Sequence, residues 1–190
     1  MTPHAGTPRA APPGEAIFTV GHSTLPLDDF IALLKAYGIA CLADIRTVPR
    51  SRHNPQFNAD TISDALREHG VSYVPLRALG GLRHARKDSP NAGWRNAGFR
   101  GFADYMQTGE FAQGLEELIA LGRKQRTAIM CAEAVPWRCH RSRVADALAV
   151  RGIPVAEILS ATNWREHKLT PFARVEGTAI TYPPEQASLL

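Results

Sequence analysis

Short apolar segments alternate along this chain with longer segments whose apolar residues recur at helical spacing. The short segments AIFTV, ACLADI, VSYVPL, TAIMCA and IPVAEIL have the length and composition of buried strands. The periodic segments predict helices over 26–38, 58–70, 108–122 and 136–152. This alternation is typical of βα units, so we expect an α/β fold with a mainly parallel sheet flanked by helices in a Rossmann-like layering.

The same pattern sets the expected limits of a single domain at residues 16–176. Residues 1–15 are proline-rich and lack an apolar run, which predicts a flexible N-terminal tail and not a signal peptide. Residues 177–190 are interpreted as a C-terminal tail. The segment 83–107 lacks clear periodicity in its first half and is long for a loop, which indicates a functional or a mobile segment.

Composition narrows the class of protein. A chain of 190 residues with 44% hydrophobic residues can bury a full core without disulfides, and an odd count of 3 cysteines indicates a reducing compartment. No segment is long and apolar enough to span a bilayer, so we expect a cytoplasmic protein without a membrane partner. The sequence names no cofactor and no oligomeric state.

Positive charge is concentrated in a few segments. The net charge is +4, and arginines crowd into DIRTVPRSRH, LRALGGLRHARK and PWRCHRSR. These segments, and the GHST that follows the first strand, lie after predicted strands. Because ligands of open parallel sheets bind beyond the carboxyl ends of the strands, we expect these loops to form one site.

Two cysteines dominate the chemistry of the segment MCAEAVPWRCHRS. Cys139 is predicted in the first turn of a helix that starts at Pro136, where free N–H groups and neighbouring cationic side chains favour the thiolate of a nucleophile or redox centre. Cys131 ends a predicted strand and is either a buried apolar residue or a second reactive thiol. Their spacing does not resemble a zinc knuckle, even with His140 and His22 as further ligands, so no metal is predicted.

Other ionisable residues near these strand ends are candidates for acid–base work. Glu133 is either a general acid or base or the partner of an arginine, and His140 stands beside Cys139. His22 could cap a helix, bind phosphate or carry a proton. Asp44 is expected mainly to anchor Arg46.

The arginines offer bidentate donors for phosphate. The late segment HKLTPFARV is expected to fold back across the same edge of the sheet and to bring His167, Thr170 or Arg174 there. The candidate substrate-binding residues are Asp44, Arg46, Arg50, Arg52, Arg141, Arg143 and Arg174.

Six segments in order, TVGHST, DIRTVPRSRHNPQFN, ALGGLR, NAGFRGFADYM, MCAEAVPWRCHRS and HKLTPFAR, resemble the motifs of the bacterial family called domain of unknown function 488 (DUF488). The resemblance covers residues 17–174 and implies a class of protein without implying a reaction. From the residues themselves we expect an enzyme acting on a phosphate-bearing small molecule, a nucleotide or a nucleic-acid component. The alternatives are a nucleic-acid-binding module without catalysis, for which the scattered arginines are less suited, and a Cys131/Cys139 redox switch.

Overall fold

The computed structural model describes residues 12–184 and shows a six-stranded sheet with helices on both faces. The strands are β1 (Ile17–Gly21), β2 (Cys41–Asp44), β3 (Ser72–Pro75), β4 (Thr127–Cys131), β5 (Val155–Ser160), β6 (Asn163–Glu166), β7 (Arg174–Glu176) and β8 (Ala179–Thr181). The helices are α1 (Leu27–Ala36), α2 (Ala59–Glu68), α3 (Ala97–Tyr105), α4 (Gly109–Lys124) and α5 (Arg141–Ala149). This architecture confirms the predicted α/β class.

The sheet has the strand order β3-β2-β4-β1-β5-β6. β1 to β5 run parallel, and β6 pairs antiparallel with β5 at one edge. The central strands β1 and β4 are in register from Phe18 with Ala128 to Gly21 with Cys131. They are apolar along almost their whole length because helices cover both faces of the sheet.

Successive strand residues point into two separate cores. Phe18 packs with the buried faces of α1 and α2, whereas Ile17 packs with α3, α4 and α5. This alternation follows from the two-residue period of a strand. The helices α1 and α5 therefore lie on opposite faces of the sheet.

The segment after β4 differs from the predicted helix over 136–152. Pro136 begins a 3-10 turn that ends at Arg138, and α5 begins only at Arg141. Cys139 lies between them in extended conformation, with φ −129° and ψ 150°. The prediction that Cys139 belongs to the first helical turn is therefore wrong, although its thiol still accepts a hydrogen bond from the backbone N–H of Arg141 at 3.4 Å.

The chain remains ordered beyond the predicted domain limit at residue 176. The hairpin of β7 and β8 places Tyr182 in the core, and the Tyr182 hydroxyl donates to Asp146 at 2.8 Å. Within the predicted C-terminal tail, Ile180 and Tyr182 are therefore buried, whereas residues 177–179 are exposed. The predicted tail at 1–15 and the end of the chain fall largely outside the described residues.

Asp146, on α5, is the centre of a buried polar network. It accepts hydrogen bonds from His167, from the hydroxyl and backbone N–H of Thr170, and from Tyr182. The other ring nitrogen of His167 contacts Glu157, on β5, at 2.8 Å. This network fixes the C-terminal segment against α5. No helix within residues 12–184 is long and apolar enough to cross a membrane.

Candidate functional site

The chain leaves the carboxyl ends of the neighbouring strands β1 and β4 toward opposite faces of the sheet. β1 continues into α1 on one face of the sheet and β4 into α5 on the other. Such a switch point leaves a crevice between the two departing loops. The loops after the strands meet there: the backbone N–H of His22 donates to the carbonyl of Cys131 at 3.0 Å, and Thr47 donates to the carbonyl of Gly81 at 2.8 Å.

Two cavities that share lining residues open at this edge. The first, of about 390 Å³, is lined by Cys131, Cys139 and His140 among others. The second, of about 410 Å³, is lined by His22 and by residues of the loop after β2. Glu133 lines both cavities. Its Oε1 accepts a hydrogen bond of 3.4 Å from the backbone N–H of Val135, and its carboxylate forms no ion pair with any residue in the described range.

The thiols of Cys131 and Cys139 lie in contact at the inner end of the first cavity. Their sulfur atoms are 2.7 Å apart, and both side chains are buried. Cys131 comes from the end of β4, and the 3-10 turn at 136–138 folds the chain back so that Cys139 reaches it. The loop between β4 and α5 therefore serves to pair two thiols that are eight positions apart.

His140 links the thiol of Cys139 to the loop after β2. Its Nε2 lies 3.0 Å from the carbonyl oxygen of Ile45, which can only accept, so Nε2 carries the proton. Nδ1 is then the acceptor, and it lies 3.5 Å from the sulfur of Cys139. The carbonyl of Ile45 thus fixes the tautomer of the imidazole, and the thiol of Cys139 faces the other ring nitrogen. This is the arrangement of an activated nucleophile.

The two thiols have opposite acid–base character. The hydrogen bond from Cys131 lowers the pKa of Cys139, and the hydrogen bond to His140 and the nearby charges of His140 and Arg141 act in the same direction against burial. The hydrogen bond to Cys139, together with burial, raises the pKa of Cys131 well above its ordinary value. The thiolate of this pair therefore belongs to Cys139.

Arg141 supports the loop between β4 and α5 from inside. It is fully buried, and its Nη1 donates to the sulfur of Cys131 at 3.1 Å and to the carbonyl of Glu133 at 3.0 Å. Nη2 donates to the carbonyl of Ala134 at 3.1 Å. Because both terminal nitrogens already have partners inside the protein, the expectation that Arg141 offers its fork to a phosphate does not agree with this geometry.

Arg46 is held in the same way. Its guanidinium pairs with Asp44, donates to the carbonyl of Phe57 at 2.8 Å and contacts Nε2 of His22 at 3.2 Å. Asp44 thus anchors Arg46, and its carboxylate also accepts a hydrogen bond of 2.6 Å from the hydroxyl of Tyr73. Arg46 fixes the loop after β2, and it lines both cavities with one N–H of Nη1 that has no partner among the described residues.

His22 is also fully engaged. Its ring stacks on Phe57 at 4.1 Å between centroids, and Nδ1 donates to the carbonyl of Ser23 at 2.8 Å, which leaves Nε2 as the acceptor for Arg46. Burial lowers the pKa of His22 to about 4, so the ring is neutral near pH 7. This geometry fits a residue that positions Arg46 better than one that carries a proton.

The family model described as "Domain of unknown function DUF488" matches residues 26–148, which is more than half of the chain. The chain belongs to the DUF488 family. A comparison with curated proteins and one with solved structures found no match. The matched residues include both thiols, His140 and Arg46, whereas His22 and Arg174 fall outside them.

The remaining arginines of this DUF488 protein occupy different surroundings. Arg50 is exposed and lines the second cavity, and Arg52 is exposed two residues further on. Arg138, which the sequence did not single out as a ligand, is exposed at the first cavity. Arg174 is exposed on β7 and lines neither cavity, so the structure does not bring it to this site.

Arg143 has surroundings that no sequence signal indicated. It is fully buried, with its guanidinium carbon 3.9 Å from the ring centre of Trp94 and 3.7 Å from that of Phe99. Both rings come from the aperiodic part of the chain and the start of α3, where neither spacing nor composition predicts a contact with α5. Within residues 12–184, no group of three or more acidic, histidine or cysteine side chains could hold a metal ion.

Proposed function

We propose that this DUF488 protein is an enzyme that uses Cys139 as a nucleophile on a phosphate-bearing small molecule or nucleotide bound at the carboxyl edge of the sheet. The observation that carries the proposal is the position of His140, whose Nδ1 faces the sulfur of Cys139 at 3.5 Å while Nε2 contacts the carbonyl of Ile45. A histidine oriented in this way takes the thiol proton.

The residues suggest a sequence of proton and bond changes. His140 accepts the proton of Cys139, and the thiolate attacks an electrophilic centre of the substrate to form a bond to sulfur. The bond to the leaving group breaks with its electron pair, and the leaving group takes the proton from His140. Glu133 then takes a proton from water, the water oxygen bonds to the same centre, and the bond to sulfur breaks with its electron pair on Cys139. The proton on Glu133 returns to the thiolate through solvent, which restores the thiol and the carboxylate.

The substrate class rests on the exposed arginines at the two cavities. Arg50 and Arg138 form no ion pair with a described residue, so their guanidinium groups are free to meet an anion. The cavities are of the size that takes a small molecule. A phosphate group held by these side chains would lie beside Glu133 and close to the paired thiols.

The proposal is tested by alkylating the full chain with iodoacetamide across a pH series and reading each cysteine by peptide mass spectrometry. Because the pKa of Cys139 is lowered, we expect its alkylation rate to stay nearly constant between about pH 5.5 and 8. His140→Gln should make the rate rise with pH and fall about tenfold near pH 6. The exposed residue His53, changed to Gln, is the matched control and should leave the profile unchanged.

An alkylation rate at Cys139 that rises through about pH 8.5, as for an ordinary thiol, would contradict the nucleophile assignment. So would a His140→Gln profile identical to that of the unchanged protein. Cys131 should react more slowly than Cys139 throughout, because its pKa is raised.

A redox switch is the second candidate function, favoured by the contact of 2.7 Å between the two sulfur atoms. A hydroperoxide would take two electrons and two protons from the thiols, giving a Cys131–Cys139 disulfide, water and an alcohol. The same peptide map without reductant detects this bond. Disulfide formation at low peroxide, with no covalent adduct from any phosphate-bearing compound, would favour the switch over the enzyme.

A further inference from the structure

Arg143 carries a positive charge inside the protein without an acidic partner. It is the third residue of α5, and its Nη1 donates to the carbonyl of Cys139 at 2.8 Å and to the hydroxyl of Ser142 at 3.3 Å. Among the described residues, no carboxylate forms an ion pair with it. Burial lowers the pKa of Arg143 to about 10, so the guanidinium is still charged near neutral pH.

One edge of this guanidinium is open. Nε and Nη2 are buried and have no hydrogen-bond partner in the described part of the chain. These two nitrogens form the side of the planar group that meets a carboxylate or phosphate through two parallel hydrogen bonds. Buried donors are almost always paired, so an edge with both donors unpaired indicates a missing acceptor.

The other buried arginines of the site do not share this feature. Arg141 lacks a partner only at Nε, since both its terminal nitrogens donate to protein atoms. Arg46 has partners at all three nitrogens. Within residues 12–184, Arg143 is therefore the one fully buried guanidinium with an open bidentate edge.

The surroundings of Arg143 connect it to two cavities. Phe99 lines the cavity of about 390 Å³ that also contains Cys139. Trp94, whose ring contacts that of Phe99 edge to face at 5.5 Å, lines a third cavity of about 660 Å³ together with Ser142, Arg165 and Lys168. Both rings are only partly buried, so a single side chain separates the guanidinium from each cavity.

We propose that the Nε and Nη2 edge of Arg143 binds an oxyanion, either a carboxylate or a phosphate group, next to the rings of Trp94 and Phe99. Nη1, at the opposite end of the same guanidinium, donates a hydrogen bond to the carbonyl of Cys139. The proposed site is therefore close to the backbone of Cys139. Anion binding at this edge does not require a reactive thiol. The proposed site can therefore be tested independently of the role of Cys139 as a nucleophile.

The test is a titration of the full chain, labelled with nitrogen-15, followed by NMR at the arginine Nε–H resonances. Inorganic phosphate and acetate are the two probes, and sodium chloride at equal ionic strength is the control. We expect a saturable shift of the Arg143 resonance with at least one probe, while the Arg141 resonance, which has only one free nitrogen, stays in place. Which probe saturates first distinguishes a phosphate site from a carboxylate site.

Arg143→Lys keeps the charge but removes the fork, and it should weaken binding about tenfold or more. Cys139→Ser should keep the saturable shift and should not weaken binding, because it removes a nearby negative charge and leaves the guanidinium edge intact. This result separates the site from the proposed thiol chemistry. The same small shift with chloride as with both probes, or no saturation, would show that water alone satisfies the guanidinium and would overturn the proposal. This result is read on the unchanged protein, so it stands even where Arg143→Lys fails to fold.

Discussion

At the scale of single residues, two buried histidines of this protein have pKa values shifted in opposite directions by their partners. Burial lowers the pKa of His22 to about 4 and the charge of Arg46 acts in the same direction, while the hydrogen bond to the carbonyl of Ser23 only partly opposes them. Burial also lowers the pKa of His167, but hydrogen bonds to Asp146 and Glu157 outweigh it and raise the value to about 9. His167 is therefore a cation between two carboxylates near neutral pH.

The His167 network predicts a loss of stability at alkaline pH. Since the folded-state pKa lies above the unfolded value of 6.5, its stabilisation is complete below about pH 6.5 and is lost as the pH rises through about 9. The upper limit is about 3 kcal/mol for the protonated imidazole. Urea denaturation near pH 6.5 and near pH 9 should show a decline in the free energy of unfolding of the unchanged protein. The decline should be smaller in His167→Gln. A His53→Gln control should keep the full decline, and an equal decline in His167→Gln would contradict the prediction.

Single residues also show which features of the site the sequence predicts and which it does not. Cys131 and Cys139 could be placed at one edge of the sheet, because the order of strand, loop and helix fixes the position of the backbone. The roles of Arg46 and Arg141 could not, because an arginine side chain is long and its partners come from other loops. Both arginines support the loops from inside, and phosphate binding by either of them stays a prediction.

At the scale of elements, the sequence predicts those strands and helices whose apolar residues form a clear pattern. The five parallel strands and the helices α1, α2 and α4 follow the predicted segments closely, because continuous apolar strands and amphipathic helices leave clear patterns. β6 was missed because it is a short, mostly polar edge strand with the sequence NWRE. α3 was missed because Gly98 and Gly101 interrupt its pattern, although Asn96 caps its first turn.

The end of β1 gives a prediction about the close fit between two elements. A Cβ atom at Gly21 would lie 2.0 Å from the carbonyl oxygen of Glu133 and 2.7 Å from Nη1 of Arg141. Gly21→Ala should therefore displace the loop after β4 and lower the free energy of unfolding by about 1–3 kcal/mol. It should also slow the alkylation of Cys139 or change its pH profile.

The matched control is Gly109→Ala at the start of α4, where an added Cβ meets no atom within 4 Å. Chemical denaturation of both variants gives the comparison. Equal stability of Gly21→Ala and Gly109→Ala would show that the loop after β4 yields easily and does not hold the thiol pair rigidly.

At the scale of the whole molecule, the positive charge is less available than the sequence indicates. The chain has 22 lysine and arginine residues and a net charge of +4. Arg46, Arg141 and Arg143, which lie in its most basic segments, are buried. Arg50 and Arg138 remain exposed at the cavities, where they are separated from Arg174 on β7. Of the exposed arginines in these segments, Arg50 and Arg138 line the two cavities, whereas Arg52, Arg77 and Arg86 line neither.

This distribution predicts weak binding to extended nucleic acid. Affinity for a nucleic-acid backbone grows with the number of phosphates that are neutralised together, and three arginines of the most basic segments are buried. We expect duplex DNA and single-stranded RNA of about 20 nucleotides to bind with a dissociation constant weaker than about 10 μM near physiological salt, with a shallow dependence on salt. Fluorescence anisotropy over a salt series measures both quantities. Micromolar or tighter affinity with a steep salt slope, reduced by Arg50→Gln and Arg138→Gln together but not by Cys139→Ser, would instead make this edge of the sheet a nucleic-acid-binding surface.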